Sequence, residues 1–390
     1  MLNSKLLRPV YIQMAHRSPI FKYGSKATSK LNASELATQT LKAALVKHPI
    51  EKDTISTLYL GHARQANNGP NPARQVAYNN DLDIPAITVN QACASGLESI
   101  ISGMKDIECQ RADNVISGGV ECMSATPYYI PKLRFGNKLG HQKIIDGMYQ
   151  DGFHCPMANL VMGKTVEQFI AQEQKISRHD QDAFAQNSQQ KYQKALSNNY
   201  FIHEKLNIEL RGTTYSEDEY PRANSTLEKL AKLTAVFDTE KGTLTAGNSS
   251  GMTDGAAFAL LSSKKSPTSL CEIIDYNRHS LNPNHMGLGP IDSIKKLLHK
   301  NSLSIQDIDL FEINEAFAAQ AIACQKSLEI PDEKLNIWGG AISIGHPIGA
   351  TGTRILGTLA WQMKTLNKEL GVVSLCVSGG QGVSLLLKLS

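Results

Sequence analysis

With 390 residues, the chain is long enough for two domains or for one duplicated unit with an insertion. Hydrophobic residues make up 41% and charged residues 19% of it, as in a soluble globular protein, and no apolar run is long enough to cross a bilayer. The formal net charge of +4 is small for this length. It argues against a nucleic-acid-binding protein with a basic surface, but a local basic patch could still meet a phosphorylated ligand.

The cysteines and the start of the sequence both indicate a reduced, cytoplasmic location. Seven cysteines occur, an odd number, without Cys-x-x-Cys or other metal-type spacing. Neither structural zinc nor a redox dithiol is supported, and no metal site is predicted. Residues 1–8 have no apolar signal core and strand-like residues begin at Val10, so we expect neither secretion nor a mitochondrial presequence.

The first third of the chain alternates between strand and helix patterns, which predicts helices covering a mixed or parallel sheet. In chain order the sequence predicts a strand over 9–14, a helix over 33–48, a strand over 55–60, a short helix over 72–79, a buried strand over 85–89, a helix over 96–104 and a strand over 114–119. From residue 120 to about 243 the composition of the sequence changes. Tyr, Pro, Gly and polar residues dominate 127–159, and helices follow over 163–174 and 178–198, with Ser177 or Asp180 as a cap. We interpret this segment as an insertion, either a lid or a substrate-binding excursion.

The last part of the chain repeats the pattern of the first. It predicts strands over 256–262 and 271–276, a helix over 290–299, a strand over 308–313, a helix over 315–328, a glycine-rich turn over 339–349 that leads into a helix ending near 363, and strands over 372–377 and 383–389. The order helix, strand, helix, strand–turn–helix and a strand ending in Ser-Gly-Gly therefore occurs twice. We predict a duplicated α/β unit: an N-terminal half of residues 1–119 and 244–269, an insertion of 120–243 and a C-terminal half of 270–390.

Cys93 lies between a predicted strand and a predicted helix. Free backbone N–H groups and the positive end of a helix dipole lower the pKa of a thiol at such a place. The next residues, Ala94, Ser95 and Gly96, are small enough to let a ligand approach closely. Taken alone, a single cysteine is more often a small buried hydrophobe than a nucleophile.

Three other motifs change this interpretation. His346 lies in the glycine-rich turn of residues 339–352, and its ordinary pKa of roughly 6.5 makes it a natural base for a thiol. Cys376 adds a second thiol, beside the glycine-rich turn that ends at residue 382. Asn314 directly follows a predicted strand, where its amide could orient a water or an oxyanion.

Together these motifs resemble the thiolases, the acetyl-CoA C-acyltransferase family, over the whole chain. The Cys93 turn and residues 314–318, 345–352 and 376–382 match the main signatures of that family, and residues 245–251 and 286–290 match two more. The resemblance implies the thiolase fold, in which duplicated βαβαβαββ units form a five-layer αβαβα sandwich with an inserted loop domain. It also implies a homodimer or homotetramer.

The resemblance further implies ping-pong chemistry between coenzyme A thioesters, without a permanently bound cofactor. His346 would deprotonate Cys93, whose thiolate attacks a 3-ketoacyl-CoA, and Cys376 would protonate the departing acetyl-CoA enolate. A second coenzyme A then accepts the acyl group, and the reverse reaction condenses acetyl-CoA to acetoacetyl-CoA. His346 and a water held by Asn314 would serve the oxyanion of the enolate-forming step. Backbone N–H groups of Cys93 and Ser378 would serve the tetrahedral intermediate of the acyl-enzyme.

By the same resemblance, Arg222 would lie near the adenine of coenzyme A and Ser250 along its pantetheine. Phe237, Met286 and Phe317 would line the channel. For Arg222 the alternative is a solvated loop charge.

Two positions depart from the family pattern. Val161 stands where acetoacetyl-CoA-specific thiolases usually carry histidine, which favours a longer or different acyl chain, as in the thiolases of fatty-acid β-oxidation. Ser378 stands where many thiolases have glycine. Its backbone N–H is kept, but a positive φ would strain a serine there.

Two alternatives remain beside an active thiolase. A ketoacyl synthase-type condensing enzyme has the same broad fold but pairs its cysteine with two histidines, or with a histidine and an asparagine, and lacks the equivalent of Cys376. A catalytically silent acyl-CoA-binding homologue is disfavoured because Cys93, His346, Asn314 and Cys376 are all present.

Overall fold

Residues 7–390, as described by the computed structural model, alternate between strands and helices around one large sheet. The expectation that the chain has no targeting signal rests on residues 1–8. Of these, residues 1–6 lie outside the described residues. The strands are β1 (Tyr11–Arg17), β2 (Phe21–Lys22), β3 (Ile55–Gly61), β4 (Ala86–Val89), β5 (Asn114–Cys122), β6 (Tyr128–Tyr129), β7 (Ile145–Asp146), β8 (His154–Cys155), β9 (Leu160–Val161), β10 (Ile208–Leu210), β11 (Thr213–Tyr215), β12 (Thr253–Ser262), β13 (Cys271–Ser280), β14 (Leu310–Ile313), β15 (Leu370–Val377) and β16 (Gln381–Leu389). The α-helices are α1 (Ala33–Lys47), α2 (Pro72–Tyr78), α3 (Ser95–Glu108), α4 (Met162–Val166), α5 (Arg178–Ser197), α6 (Leu227–Ala231), α7 (Gly289–Lys300), α8 (Ala318–Leu328), α9 (Ala341–Ile344) and α10 (Ile348–Leu366).

Within residues 7–390, a single sheet of ten strands contains the same arrangement twice. Its order is β14-β15-β16-β13-β1-β12-β5-β3-β4, and β2 pairs beside β12. In one half β3 pairs in parallel with β4 and β5, and β12 and β1 follow as antiparallel strands. In the other half β14 pairs in parallel with β15, and β16 and β13 follow as antiparallel strands. The halves meet where β1 pairs with β13. This repetition confirms the predicted duplication.

The sheet is covered in layers, as the alternation of side chains along its strands requires. In β5, Val115 packs in a core that includes α3 and α10, while Ile116 packs in a second core with α1 and α2. In β15, Val373 joins the first core, while Val372 joins a third core with α7 and α8. The helices α3 and α10 therefore lie between the two halves of the sheet. The predicted five-layer αβαβα fold is confirmed.

The two central helices make contact through their backbones. A Cβ at Gly96 would lie 2.7 Å from the backbone nitrogen of Thr353, and a Cβ at Gly352 would collide with the backbone nitrogen of Leu97. Only glycine permits this approach. The first turns of α3 and α10, which follow Cys93 and His346, are thereby held together.

The chain between β5 and β12 contains short elements and one long helix. Ser177 and Asp180 both cap α5: the Ser177 hydroxyl accepts from the Asp180 N–H at 3.1 Å, and the Asp180 carboxylate accepts from the Ser177 N–H at 3.4 Å. The helix predicted over 163–174 consists of α4 followed by a wider π-type segment, Glu167–Gln172. Among residues 7–390, no helix has both the length and the apolarity that crossing a membrane requires.

Two predictions about local structure were wrong. The strand predicted as buried over 85–89 is β4 at the edge of the sheet, where Ile87 is 45% exposed, because composition indicates a strand but not its place in the sheet. The helix predicted from residue 315 begins at Ala318. The preceding backbone is engaged elsewhere: the carbonyl of Ala316 accepts from the N–H of Ser250 at 3.0 Å.

Candidate active site

A cavity of about 630 Å³ lies where several carboxyl ends of parallel strands meet. Cys93 follows β4, and Cys376 lies near the end of β15. His346 precedes α10. All three side chains line the cavity, together with residues of the inserted segment. The structure thus brings together three residues, the first and last of which are more than 280 positions apart in the sequence.

Cys93 lies in a turn with a strained backbone. Its neighbour Ala92 has a φ of 46°, a region that disfavours residues with a Cβ. Hydrogen bonds hold the strain in place, because the N–H of Ala92 donates to the Asn90 side chain at 2.9 Å and the Ser95 hydroxyl donates to the Ala92 carbonyl at 2.7 Å. The sulfur is therefore presented to the cavity from a fixed turn.

The expectation of a lowered pKa for Cys93 was wrong. Burial raises the pKa of this thiol above its ordinary value, although the backbone N–H groups of Ser378 and of Cys93 itself and the charge of Arg64 act in the opposite direction. The sequence indicates the helix terminus but not the depth of burial, and burial outweighs the helix terminus here. In the free protein Cys93 is therefore a neutral thiol that needs a base.

His346 lines the same cavity and is the candidate acceptor for that proton. Its Nδ1 lies 2.7 Å from the Thr351 hydroxyl, which itself donates to the Pro347 carbonyl at 2.9 Å. Since the hydroxyl proton is used, Nδ1 must carry the imidazole proton, and Nε2 keeps its lone pair. Burial lowers the pKa of His346 to about 3, with the positive charges of Arg354 and Arg64 adding to the effect. The imidazole is thus neutral and able to accept.

Cys376 lies in more apolar surroundings than Cys93. It is 1% exposed and packs in one core with Met162, Met286 and Ala316. Burial raises its pKa well above the ordinary value, and the neighbouring Cys93 adds to this. The turn after it carries its positive φ angles at Gly379 and Gly380, not at Ser378, so a serine fits position 378 without strain.

Asn314 lies behind His346 and not on the cavity wall. Its Nδ2 is 3.4 Å from His346 Nε2, and its backbone N–H donates to the Ser374 carbonyl at 3.0 Å. The side chain is buried, and no described residue donates a hydrogen bond to its Oδ1. The amide is therefore placed to act beside the imidazole.

The residues that sequence analysis assigned to a coenzyme A channel all line the same cavity; they are Arg222, Phe237, Ser250, Met286 and Phe317. The rings of Phe237 and Phe317 pack edge to face with centroids 6.0 Å apart, and the Arg222 guanidinium lies 5.2 Å from the centre of the Tyr220 ring. Val161 also lines the cavity and leaves that part of the wall apolar.

Sequence reasoning missed two groups that organise the site. Thr351 fixes the tautomer of His346, and its place near the start of the helix that follows the histidine could have indicated this contact. Gln91 donates to the side chain of Gln381 at 3.0 Å, which joins the turn of Cys93 to the turn after Cys376. Nothing in the sequence pairs these two glutamines.

Comparisons with known proteins address the family of this chain. The sequence matches the family described as "Thiolase, N-terminal domain" over residues 10–265 and "Thiolase, C-terminal domain" over residues 267–389. A "Probable acetyl-CoA acyltransferase" of Staphylococcus aureus strain MRSA252 is 38% identical over 387 residues, which cover 96% of this chain and 98% of the relative. The protein of the same name from strain COL is similar to the same extent.

Solved structures with the same architecture include two whose chains match over nearly their full length. The crystal structure of the Bacillus anthracis acetyl-CoA acetyltransferase has a TM-score of 0.95 and 36% identity, covering 99% of this chain and 100% of that chain. The crystal structure of human mitochondrial 3-ketoacyl-CoA thiolase in complex with CoA has a TM-score of 0.94 and 35% identity, covering 99% of each chain. With both family domains matched in order over almost the entire chain, the protein belongs to the thiolase family of acyltransferases.

Proposed function

We propose that this thiolase cleaves 3-ketoacyl-CoA with coenzyme A to acyl-CoA and acetyl-CoA, and that it condenses acetyl-CoA to acetoacetyl-CoA in reverse. The observation that carries the proposal is the shared cavity, in which two thiols from different halves of the sheet and one neutral imidazole meet. A thiolate is both a competent nucleophile and a good leaving group, so such a site suits a reversible acyl exchange.

In the first half-reaction, His346 Nε2 takes the proton of Cys93, and the resulting thiolate attacks the 3-keto carbon of the substrate. The bond between C2 and C3 then breaks, which leaves the acyl group on Cys93 and an acetyl-CoA enolate. Cys376 gives its proton to C2 of that enolate. The apolar surroundings of Cys376 support this role, because they keep it protonated until a carbanion develops beside it.

In the second half-reaction, the thiol of a new coenzyme A returns a proton to the Cys376 thiolate and attacks the acyl group on Cys93, and the Cys93 thiolate that leaves takes back the proton held by His346. The tetrahedral oxyanion would be stabilised by the backbone N–H groups of Cys93 and Ser378, both of which act on the Cys93 sulfur. In the enolate-forming step His346 and a water held by Asn314 would serve the thioester oxygen. The 3.4 Å approach of the Asn314 amide to His346 supports this pairing.

We assign the coenzyme A channel to the part of the cavity lined by Phe237, Met286 and Phe317, with Ser250 along the pantetheine and Arg222 near the adenine. The likeness to a thiolase crystallised with CoA supports this placement. Coenzyme A and acyl-CoA are then substrates, and we propose no permanently bound cofactor. The apolar wall at Val161 favours acyl chains beyond acetoacetyl, as in β-oxidation.

We also propose a homodimer or homotetramer. The edge strand β4 has unpaired backbone groups and an exposed Ile87, and such edges invite pairing with a second copy. The inserted segment exposes large apolar side chains, among them Phe135 at 93% and Leu139 at 94%.

We propose a cytoplasmic location. All seven cysteines lie within the described residues and form no disulfide, which supports this proposal.

The proposed division of the chain keeps 1–119 and 244–269 as the N-terminal half, 120–243 as the inserted loop domain and 270–390 as the C-terminal half. The strand β12 pairs with both β5 and β1, which supports the assignment of residues 244–269 to the N-terminal half. Since β5 continues to Cys122, the first boundary falls inside a strand.

The test is thiolysis of acetoacetyl-CoA and of a long-chain 3-ketoacyl-CoA by the purified protein, with mass spectrometry of the acyl-enzyme. We expect coenzyme A-dependent cleavage, faster with the long chain, and an acyl group on Cys93. Binding of acyl-CoA without cleavage of either substrate would favour the silent homologue.

A further inference from the structure

A buried positive charge lies beside the cavity, and the chemistry proposed above does not use it. Arg64 follows β3 in the loop that leads to α2, and it is only 4% exposed. Its three guanidinium nitrogens find no hydrogen-bond acceptor among the described residues. An ionised group buried in this way destabilises a fold, so its presence next to a cavity indicates a function.

The surroundings of Arg64 keep water away from the charge. The guanidinium carbon lies 5.1 Å from the centre of the Phe153 ring, and a Cβ at Gly152 would collide with the guanidinium. Phe153 lines the cavity together with Cys93. The ring therefore separates the charge from the cavity, and across such a short apolar layer the field of the charge is weakly screened.

Glu121 anchors this charge to the catalytic turns. Its buried carboxylate accepts from the backbone N–H of Arg64 at 3.1 Å and from that of Gly349 at 2.9 Å, three residues after His346. It makes no hydrogen bond to the guanidinium. Burial alone would raise the pKa of Glu121, but the neighbouring His62 and the charge of Arg64 hold it below its usual value. One ionised carboxylate thus fixes the backbone of Arg64 and the start of α10.

We propose that Arg64 is a positioning residue whose buried, unpaired guanidinium favours negative charge at Cys93, both on the thiolate and on the oxyanion that follows it. Glu121 hydrogen-bonds the backbone of Arg64 and the backbone at the start of α10, and so fixes their relative position. The catalytic consequence rests on the proposed thiolase function, whereas the effect on the thiol does not.

Charged and titratable groups reach Cys93 from each element packed around it. They are Arg64 from the loop after β3, Glu121 from β5, Cys376 from β15 and His346 from the turn before α10. On α3 itself Glu98 is paired with Arg278 at 2.6 Å on the surface. Arg64 lowers the pKa of Cys93 and Glu121 raises it, so the two charges act in opposite directions.

The experiment measures how fast iodoacetamide alkylates Cys93 as a function of pH, by mass spectrometry of the peptide. Exposed Cys109 in the same sample is the internal reference. We compare the neutral variants Arg64→Met and Arg64→Gln with Arg64→Lys, which keeps the charge. Since one pKa unit changes the thiolate fraction about tenfold, we expect roughly tenfold slower alkylation of Cys93 in the neutral variants at pH 8. Arg64→Lys should remain within about threefold of the parent protein.

Alkylation of Cys93 at the parent rate in the neutral variants would overturn the proposal. An equal loss in Arg64→Lys and Arg64→Met would overturn it as well, because shape and not charge would then be responsible. If Arg64→Met does not fold, the comparison of Arg64→Gln with Arg64→Lys answers the same question. In thiolysis, kcat should fall in the neutral variants while KM is kept. A shifted alkylation profile in a protein without thiolase activity would refute the proposed function and leave this inference standing.

Discussion

The two thiols of the cavity have the same chemistry and different surroundings. Cys93 lies in a strained turn before a helix, with backbone N–H groups and a positive charge acting on its sulfur. Cys376 lies near the end of a buried strand among apolar side chains, and burial and the neighbouring Cys93 raise its pKa. The first environment favours a sulfur that becomes negative early, and the second favours one that keeps its proton until a carbanion forms. Environment, and not residue type, distinguishes a nucleophile from an acid here.

The largest effect is expected from Cys93→Ser. An alcohol is a far weaker nucleophile than a thiol at neutral pH, so thiolysis should fall by roughly 10³-fold or more. Steady-state thiolysis and mass spectrometry of the acyl-enzyme measure this. Persistent acylation at another residue would contradict the assignment of the nucleophile.

Cys376→Ala should distinguish the roles of the two thiols. Loss of a general acid or base costs about 10²–10⁴-fold, so exchange of the α-protons of acetyl-CoA with solvent should slow by that amount. Acetylation of Cys93 by acetyl-CoA needs no proton transfer at carbon and should persist. Deuterium exchange followed by NMR, with acyl-enzyme formation as the matched control, makes this measurement. Condensation at the parent rate would show that Cys376 has no such role.

His346, which lines the cavity together with both thiols, allows a test through stability. Its folded-state pKa of about 3 lies below the ordinary value near 6.5, so the unfolded chain binds more protons between these pH values. The neutral imidazole therefore contributes stability above about pH 6.5 that is lost as the pH falls toward 3. Relative to His346→Asn, the free energy of unfolding should decrease by at most about 1.4 kcal/mol per pH unit in this window. Parallel curves from denaturant titrations would contradict this.

The smallest effect is expected from Ser378→Gly, in the turn that joins the two environments. Ser378 has no positive φ, and the substitution keeps the backbone N–H, so kcat should change by less than about twofold. Ser378→Ala is the matched control for the hydroxyl. A large loss in both variants would assign the hydroxyl itself to the reaction.

Much of the fold was predictable because local patterns and chain order carry it. The periodicity of α1 and the motif order around Cys93, His346 and Cys376 are written in the sequence. Burial cannot be read from the sequence, and for that reason two predictions were wrong: the lowered pKa of Cys93 and the buried position of β4. Long-range polar contacts were equally hidden. In the sequence Glu121 stands two residues after the glycine pair 118–119 with no motif to mark it, and only the folded chain brings it to the start of α10.

The backbone contact between α3 and α10 has a consequence for how this enzyme could evolve. Gly96 and Gly352 let the two helices touch through their backbones, and a methyl group added at either glycine would collide with the backbone of the facing helix. In the stretch between β5 and β12, the glycines that line the cavity face side chains instead: a Cβ at Gly163 would meet the ring of Phe237, and one at Gly251 would meet the ring of Tyr220. A side chain can be exchanged together with the residue that it faces, so new substrate preferences can arise in this part of the cavity wall while the contact between α3 and α10 is inherited unchanged.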